Sequence, residues 1–563
     1  MKFDVERKGI LYADGFCVEF HANQTFGLST HSVSPFSCPR SKYLNNASIN
    51  QKMAKSFNTL FLLSIVLPTI YWLWTKILAW STRNKAGCSS PVKYKHLDRI
   101  LGFDLLAKKM NYTKAGKLLA LDDELFAKYG KTLHTLFFGR NHWMTMDPLV
   151  IQTVAATQAD KFGSAPSNRK PAGPLLGDGA FTTDGHIWKR SRELLQPVFS
   201  RSQVSQLSGL ESHLQRFLER IPRDGSTIDI QPLAQGLFLD SSMKFIFGKS
   251  SGSLSPSEQT AEAKQFSEDF DEGLRGMRNN YMTDKFSWLV GPDKKWLAQC
   301  AKIHATLEGY IDEEIKFQKQ SKLPGTSNKH MNGSSGYQHV LLKELVKKYP
   351  DDKTLIRNEL MNVFFAARDS VGTVTSSMLF LLARSPESWG KLREEVAAIA
   401  PEQELTFEFL KSLKYVQAVM TKVTLRLIHP VDRAWRTCLS TCILPRGGGK
   451  SGNDPILPQP GDQIELIYGC MHKDKDIWGD DASEFNPDRM VRLKHSWKFI
   501  PFSGGRRTCP AQQNAYTDMV YFLVRMVQEL KTIHNRDDCL EYVEEYVMTK
   551  SSRNGVKAAF SVK

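Results

Sequence analysis

Closely spaced cysteine pairs are missing from this sequence. Its nine cysteines are scattered, their number is odd, and no two of them form a Cys-x-x-Cys pair. A disulfide framework and a structural zinc site both need cysteines at paired or regular spacing, so the pattern argues against both. We therefore expect most of the chain to lie in a reducing compartment. Cys438 and Cys442 are four residues apart, and we interpret them as small buried apolar side chains.

Dense runs of lysine and arginine with interleaved aromatic residues are also absent, although the net charge is +16. Nucleic acid is therefore the least favoured of the partners that suit a basic protein. An anionic membrane, an acidic protein partner and an unspecialised basic surface all stay open. Internal repeats and strong linkers are missing too, so we expect residues 81–563 to form one large domain.

Long apolar runs are rare, and the one at residues 56–75 stands apart. It contains no charged residue, and its 20 residues match the ~20 that cross a bilayer as a helix. Trp72, Trp74 and Trp80 suit the membrane interface. The alternative is a buried core helix, but no other segment resembles this one. We predict a transmembrane anchor over residues 56–80, and the basic residues that follow it predict a cytosolic C-terminal part.

The segment before this run differs from the rest of the chain. Residues 1–52 are polar and lack clear periodicity, whereas Met53 would make a natural start. Our hypothesis is that residues 1–55 are a weakly structured extension, or that the recorded start is misassigned. Asn23 and Asn46 are glycosylation acceptors if this extension exists and is lumenal.

The remaining pattern is mostly helical. Residues 357–382 form a long and largely apolar stretch, which predicts a helix through the protein centre. A second helix is predicted over residues 512–530, and residues 463–468 predict a short strand. Apolar residues at helical spacing predict a further helix, and they are Leu413, Val416, Met420, Val423 and Leu427. The predicted fold class is mainly α with a small β portion.

The segment from Phe502 to Ala511 carries the main chemical signal. Its two adjacent glycines allow a tight turn and a close approach to a flat ligand. Arg507 suits a carboxylate, and Cys509 lies just before a predicted helix, a location that lowers the pKa of a thiol. Chemistry alone leaves three interpretations open: a thiolate that binds a flat cofactor, a phosphate-binding loop, and a structural loop with a buried cysteine.

A family resemblance separates these interpretations. Phe502, Gly505, Arg507 and Cys509 match in register the pattern FxxGxRxCxG, with Ala511 at the last glycine. This segment resembles the haem-binding loop of the cytochrome P-450 superfamily. The resemblance extends from about residue 85 to the C-terminus. It is closest to the fungal group typified by alkane and fatty-acid terminal hydroxylases, and it implies the cytochrome P-450 fold.

The resemblance implies roles for individual residues. Cys509 would be the axial thiolate ligand of a haem b iron, and Phe502 would pack beside the haem. The haem propionates would be faced by Trp188, Arg192, Arg436 and Arg507. Two buried carboxylates need paired positive charge, which these arginines can supply.

The predicted central helix matches a second family pattern, Ala-Gly-x-Asp-Thr. Here the residues run from Ala366 to Ser370, with Ala367 in place of the glycine. By resemblance, Asp369 and Ser370 would lie over the haem and relay protons to bound dioxygen. A carboxylate beside a hydroxyl is a chemically sensible relay. The additional methyl group of Ala367 would crowd the oxygen pocket.

One family position departs from the pattern. The family has ExxR, but Val423 stands where the glutamate is expected, three residues before Arg426. Arg426 and Arg489 have therefore lost the acid that normally joins them. Three explanations are open: a degenerate enzyme, a compensating acid elsewhere, or an error in the recorded sequence.

The resemblance predicts an oxidoreductase that hydroxylates an apolar small molecule with dioxygen and electrons from NADPH–cytochrome P-450 reductase. The expected location is the endoplasmic reticulum membrane, with a cytosolic catalytic domain. The substrate would be fatty-acid-like, alkane-like or a specialised fungal metabolite. One rival is a degenerate haem-binding relative with little or no turnover. Another is a membrane-tethered binding protein without haem.

Overall fold

A computed structural model describes residues 81–563 apart from 200–206, 256, 258, 284–290, 292, 322–340, 491–495 and 563. Before residue 81 it describes residues 9–13 and 16–20 and separate positions between 64 and 80. The chain divides into two compact units, residues 1–78 and residues 79–563.

The first unit contains a two-stranded antiparallel hairpin, β1 (Gly9–Ala13) and β2 (Phe16–Phe20), in which Gly9 lies opposite Phe20. The glycosylation acceptors Asn23 and Asn46 lie outside the described residues, and so does most of the anchor predicted over residues 56–80. Among the residues that are described, no helix is long and apolar enough to cross a membrane.

The second unit is mainly helical, as the sequence predicts. Its described α-helices are α1 (Phe103–Lys114), α2 (Leu118–Tyr129), α3 (Pro148–Gln152), α4 (Ala165–Leu176), α5 (Gly185–Leu195), α6 (Ser208–Glu219), α7 (Ile230–Phe247), α8 (Ala261–Thr283), α9 (Lys294–Gln320), α10 (Leu341–Lys348), α11 (Lys353–Leu382), α12 (Pro386–Ala397), α13 (Phe407–Ser412), α14 (Lys414–Gln417), α15 (Leu425–Leu427), α16 (Tyr468–Met471), α17 (Lys475–Trp478) and α18 (Gln512–Glu529). Two π-helices cover Thr153–Thr157 and Ala418–Thr424.

Short strands form the β portion. They are β3 (Thr132–Phe137), β4 (Arg140–Thr145), β5 (Phe162–Gly163), β6 (Ile228–Asp229), β7 (Arg433–Cys438), β8 (Leu444–Gly448), β9 (Asp454–Ile456), β10 (Gln463–Ile467), β11 (Leu530–Asn535), β12 (Glu544–Tyr546), β13 (Lys550–Ser552) and β14 (Lys557–Val562). The largest sheet has the order β3-β4-β10-β7-β5, and only its β4–β10 pair is parallel. A three-stranded sheet has the order β11-β14-β6, and β8–β9 and β12–β13 are two-stranded. The strand predicted at residues 463–468 is β10.

Helix α11 is the central helix that the sequence predicts. It begins where the carboxylate of Asp352 accepts the Leu355 N–H at 2.9 Å, which satisfies one of the free N–H groups of the first turn. Its N-terminal half packs in one apolar cluster with α8 and α9. Its C-terminal half packs in another cluster with α7, α12 and α18. Because α11 is buried along most of its length, it fixes the positions of the helices around it.

The apolar stripe between residues 413 and 427 is buried, as predicted, but its middle is not a regular α-helix. The π-helix Ala418–Thr424 lies between α14 and α15, and the Thr424 hydroxyl donates to the Val419 carbonyl at 2.8 Å. A π-helix inserts about one extra residue per turn. Apolar spacing over so few turns predicts a helix but does not distinguish its type.

The contact between helices α11 and α7 allows a test of stability. A Cβ added at Gly372 of α11 would lie 2.8 Å from the Cα of Gln235 and 3.0 Å from the carbonyl oxygen of Ala234, both on α7. Backbone cannot move aside as a side chain can. We therefore expect Gly372→Ala to lower the free energy of unfolding by about 1–3 kcal/mol, measured by urea denaturation.

Gly309 is the matched control. It lies inside helix α9, and among the described residues no atom other than the backbone of its own helix turn and its chain neighbours lies within 4 Å of an added Cβ. Gly309→Ala should raise the free energy of unfolding by up to ~1 kcal/mol, because alanine is the better helix former. Equal effects at the two glycines would contradict the assigned helix contact.

Candidate active site

The loop before α18 is closed by its own backbone. The Cys509 N–H donates to the Phe502 carbonyl at 3.0 Å, and Gly505–Arg507 form one 3-10 turn between them. Gly505 has φ +70°, and a Cβ there would lie 1.9 Å from the Ala155 carbonyl oxygen. Gly505 therefore lets the loop pass close to the Ala155 backbone, and no larger residue fits there, whereas the close approach to a flat ligand stays a prediction.

Cys509 lies three residues before α18, as predicted. Burial raises the pKa of its thiol, and it outweighs a hydrogen bond from the Ala511 N–H and the positive charge of Arg192, which both lower it. The predicted lowering of the pKa is therefore wrong for the chain alone. The helix terminus acts in the expected direction, but desolvation is the larger effect. The thiol keeps its proton more firmly than an exposed cysteine unless a cation binds the sulfur.

Arg507 anchors this loop to the start of α5. Its guanidinium donates to the carbonyls of Ala180 at 3.2 Å and Thr183 at 2.8 Å, and it pairs with the Asp184 carboxylate. Its Cζ atom also lies 4.8 Å from the centre of the Trp188 ring. Two of the predicted cofactor-binding residues, Trp188 and Arg507, are therefore in direct contact.

Two more arginines complete a positive cluster. Arg192 donates to the Thr508 carbonyl at 2.8 Å, and Arg436 donates to the Trp435 carbonyl at 2.8 Å. Burial and the nearby charges of Arg436 and Arg192 lower the pKa of Arg507 to about 10, against the opposing charge of its carboxylate partner. The repulsion shows that the three guanidinium groups share one region. The structure thus brings together the arginines that sequence analysis assigned to one ligand.

Asp184 is part of this site, although the sequence analysis did not single it out. Besides pairing with Arg507, its carboxylate accepts the N–H groups of Ser164 at 3.0 Å and Ala165 at 2.9 Å, at the start of α4. Its place immediately before α5 is a common one for aspartate. The sequence could flag that position, but it could not show that the partner is the distant Arg507.

The predicted proton-relay residues lie on α11, which packs against α18. The Ser370 hydroxyl donates to the Ala366 carbonyl at 2.6 Å, which leaves its oxygen able to accept a proton. Burial raises the pKa of Asp369, and the adjacent Arg368 opposes this at 3.5 Å. Arg368 is itself paired with Asp271. Asp369 therefore exchanges its proton nearer to neutrality than an exposed aspartate does.

These residues fit a haem. Its iron needs an axial ligand and its two carboxylates need cations. Cys509 would supply the first, and the three clustered arginines, with one carboxylate among them, would supply the second. Phe502 packs edge-to-face on Tyr516 of α18, with ring centres 4.7 Å apart, and this contact attaches the loop to the helix.

A family model described as cytochrome P450 matches residues 105–558. The chain is a member of the cytochrome P450 family. The cytochrome P450 monooxygenase himC of Aspergillus japonicus is 35% identical over 84% of this chain and 83% of its own length. The monooxygenase iccC of Talaromyces variabilis is 34% identical over 84% of this chain and 92% of its own. Cytochrome P450 52A3-A of Candida maltosa is 32% identical over 81% and 88%.

Membership confirms the resemblance drawn from the cysteine loop, and it confirms an oxidoreductase of the P450 monooxygenase type. It also implies a haem-thiolate cofactor. The mainly helical fold with a small sheet portion agrees with the P450 fold. The roles of the individual residues, including Trp188, Asp369 and Ser370, stay predictions.

The two P450 arginines that lack their usual glutamate both have hydrogen-bond acceptors. Arg426 is fully buried and donates to the carbonyls of His472 at 3.0 Å, Glu484 at 3.3 Å and Ala482. Arg489 pairs through both terminal nitrogens with the Asp481 carboxylate. Val423 is also fully buried. The turn that contains Asp481 therefore contacts both arginines.

A buried glutamate links α5 to α11. Glu359 of α11 is fully buried, and it accepts a 2.5 Å hydrogen bond from the Ser191 hydroxyl of α5. Its second oxygen has no hydrogen-bond partner in the described part of the chain. Burial raises its pKa to about 7, although the Ser191 hydrogen bond opposes the shift. Helix α5 carries Trp188 and Arg192, so this contact positions them against the central helix.

Glu359 predicts a pH dependence of stability. Its pKa rises from 4.5 to about 7 on folding, so in this window the folded chain holds a proton that the unfolded chain has lost. The free energy of unfolding therefore falls as pH rises through the window, by roughly 3 kcal/mol in all. Glu359→Gln keeps an acceptor for Ser191 and removes the titration. We expect it to raise the thermal midpoint relative to the parent at about pH 8 and much less at about pH 5.

Glu394, an exposed residue of α12, is the control. Glu394→Gln should shift the thermal midpoint equally at both pH values. A pH-independent effect of Glu359→Gln would show that Glu359 is ionised in the folded chain.

Proposed function

We propose that this P450 is a haem-thiolate monooxygenase that hydroxylates an apolar substrate with dioxygen. Electrons would come from NADPH through cytochrome P-450 reductase, and the cofactor would be haem b. The observation that carries the proposal is that Arg192 binds the loop of Cys509 and that Arg436 lies close enough to repel Arg507 of the same loop. A phosphate-binding loop would account for the arginines but not for the partly buried thiol beside them.

Different residues would bind the iron and the propionates of the haem. Cys509 would bind the iron, and the arginines would hold the propionates with help from Trp188. When bound, the haem supplies the activation of dioxygen that protein side chains cannot perform. The chain's own task is to orient the cofactor and to exclude water from it. Ser370 would hold a proton at its hydroxyl oxygen, and Asp369 would exchange that proton with solvent.

The substrate class is proposed from the resemblance. Alkane-like or fatty-acid-like molecules and specialised fungal metabolites are the two candidates, and both are apolar. Membrane attachment would bring such a substrate to the enzyme. The described positions between 66 and 80 include apolar side chains that are 44–67% exposed, such as Leu67, Tyr71 and Trp74, which supports the proposed anchor over residues 56–80.

We propose the endoplasmic reticulum membrane as the location, with the catalytic unit in the cytosol, because basic residues follow the proposed anchor. The net charge of the whole chain, +16, supports docking of an acidic reductase surface.

A second candidate function is a haem-binding relative with little or no turnover. Val423 supports it, because the family glutamate is missing beside two arginines. A haem spectrum together with slow product formation would favour this candidate.

The decisive experiment is the ferrous–CO spectrum of the purified protein. A thiolate ligand gives a characteristic red-shifted Soret band, so the parent protein should show it and Cys509→Ser should lose it. Cys539→Ser changes a partly exposed cysteine elsewhere and should keep the band. A well-folded parent protein without the band would refute the proposed function.

The proton relay predicts a loss of turnover without a loss of haem. We expect Asp369→Asn and Ser370→Ala to lower the hydroxylation rate by roughly 10²-fold or more, because each removes one proton-transfer group. NADPH consumption should exceed product formation in both variants.

Asp271→Asn is the control for local charge. Asp271 binds the same Arg368 but is not part of the proposed relay. This variant should therefore keep most of the activity. Equal losses in Asp271→Asn and Asp369→Asn would contradict the relay.

A further inference from the structure

The two family arginines present an electrostatic problem. Arg426 is fully buried, and within the described residues no carboxylate forms an ion pair with it. Its Nε atom has no hydrogen-bond partner in that same part of the chain. Arg489 lies close enough for repulsion, because its charge lowers the pKa of Arg426 after burial does, to about 10. A buried cation beside another cation destabilises a fold unless a nearby anion offsets it.

One turn, formed by residues 479–484, binds both arginines. The Ala482 N–H donates to the Gly479 carbonyl at 3.0 Å, and the Glu484 N–H donates to the Asp481 carbonyl at 3.0 Å. The turn thereby directs two of its other carbonyl oxygens, those of Ala482 and Glu484, at Arg426. These acceptors satisfy its N–H groups but carry no net charge.

Asp481 supplies the charge. One oxygen of its carboxylate, Oδ1, accepts hydrogen bonds from both terminal nitrogens of Arg489. The same carboxylate raises the pKa of Arg426 against the repulsion from Arg489. The Trp478 ring also lies 5.2 Å from Arg426, and the Trp478 carbonyl accepts from Arg489 at 3.1 Å. One acid and one tryptophan therefore connect the two arginines.

This assembly reaches the cysteine loop through one histidine. Arg426 donates to the His472 carbonyl at 3.0 Å, and the His472 Nε2 atom accepts the Ile500 N–H at 3.1 Å. The Ile500 carbonyl then accepts the Ser503 N–H at 3.0 Å, inside the loop that ends at Cys509. A displacement of Arg426 would therefore be transmitted to the segment that positions the thiol.

We propose that Asp481 is the positioning residue that takes over the charge of the missing glutamate, and that it keeps the loop of Cys509 in a haem-binding conformation. The inference rests on the proposed function, since it assigns Asp481 a role in haem retention. Of the three explanations for Val423, it favours the one in which an acid elsewhere compensates for the missing glutamate.

The test is a double-mutant cycle with Asp481→Asn, Val423→Glu and the double variant. Two properties are measured: the rate of haem loss to apomyoglobin and the thermal midpoint of the protein. Asp481→Asn should speed haem loss at least tenfold and shift the ferrous–CO band away from its thiolate position. The double variant should recover most of the haem retention and of the thiolate band position, because a glutamate at 423 restores the acid. Val423→Glu alone should change little, since Asp481 already fills the role.

Matched controls separate charge from packing. Asp480→Asn removes the neighbouring exposed acid and should behave like the parent protein. Val423→Gln in the Asp481→Asn background should give no recovery, because it adds the shape of glutamate without its charge. If Val423→Glu does not fold, Asp481→Glu decides alone: it should retain haem where Asp481→Asn does not.

Three results would overturn the proposal. They are equal haem loss in Asp481→Asn and Asp480→Asn, a double variant no better than Asp481→Asn, and a large gain in haem retention from Val423→Glu alone. Failure of the proposed function has a different signature. In that case no variant shows the thiolate band, while the thermal midpoints still report whether positions 481 and 423 are coupled.

Discussion

A buried guanidinium group needs an acceptor for its N–H groups and an anion for its charge, and this requirement governs the part of the molecule that carries the chemistry. The chain meets it differently in two places. Around Arg426 and Arg489 it supplies a turn with carbonyls and one carboxylate. Around Arg507 the described residues place the Asp184 carboxylate among three clustered arginines. The first arrangement leaves one net positive charge and suits a structural role, whereas the second leaves two positive charges for a ligand.

The same contacts explain how distant segments are held in register. Asp184 joins the start of α4, the start of α5 and the cysteine loop through one carboxylate. Glu359 joins α5 to α11, and His472 joins Arg426 to the residues before the loop. Glu359 and His472 are buried and Asp184 is partly buried, and a desolvated polar group is expensive to leave unsatisfied, so each link specifies one arrangement. Apolar packing against α11 stabilises the fold, and these polar links fix how α4, α5 and the cysteine loop are positioned.

Local patterns predicted a large share of this structure. The central helix, the helix after Cys509, the strand β10 and the tight glycine loop follow from apolar patterns and turn chemistry, both of which act over a few residues. Asp184, Glu359 and Asp481 were not predicted, because their partners lie far along the chain and only folding reveals them. The pKa of Cys509 was predicted in the wrong direction for the same reason, since burial is a property of the fold.

The opposite pKa shifts at the site have one physical consequence. Burial raises the pKa of the Cys509 thiol and lowers that of the Arg507 guanidinium, so each group is pushed towards its neutral form. An iron that binds the sulfur and carboxylates that bind the arginines favour the charged forms of both. Binding of a cofactor that carries both therefore stabilises the fold, by about 4 kcal/mol at a free concentration 1,000 times its Kd. Cofactor affinity and folding stability are then linked quantities, so substitutions that change folding stability, such as those at Glu359 and Asp481, should also affect cofactor retention.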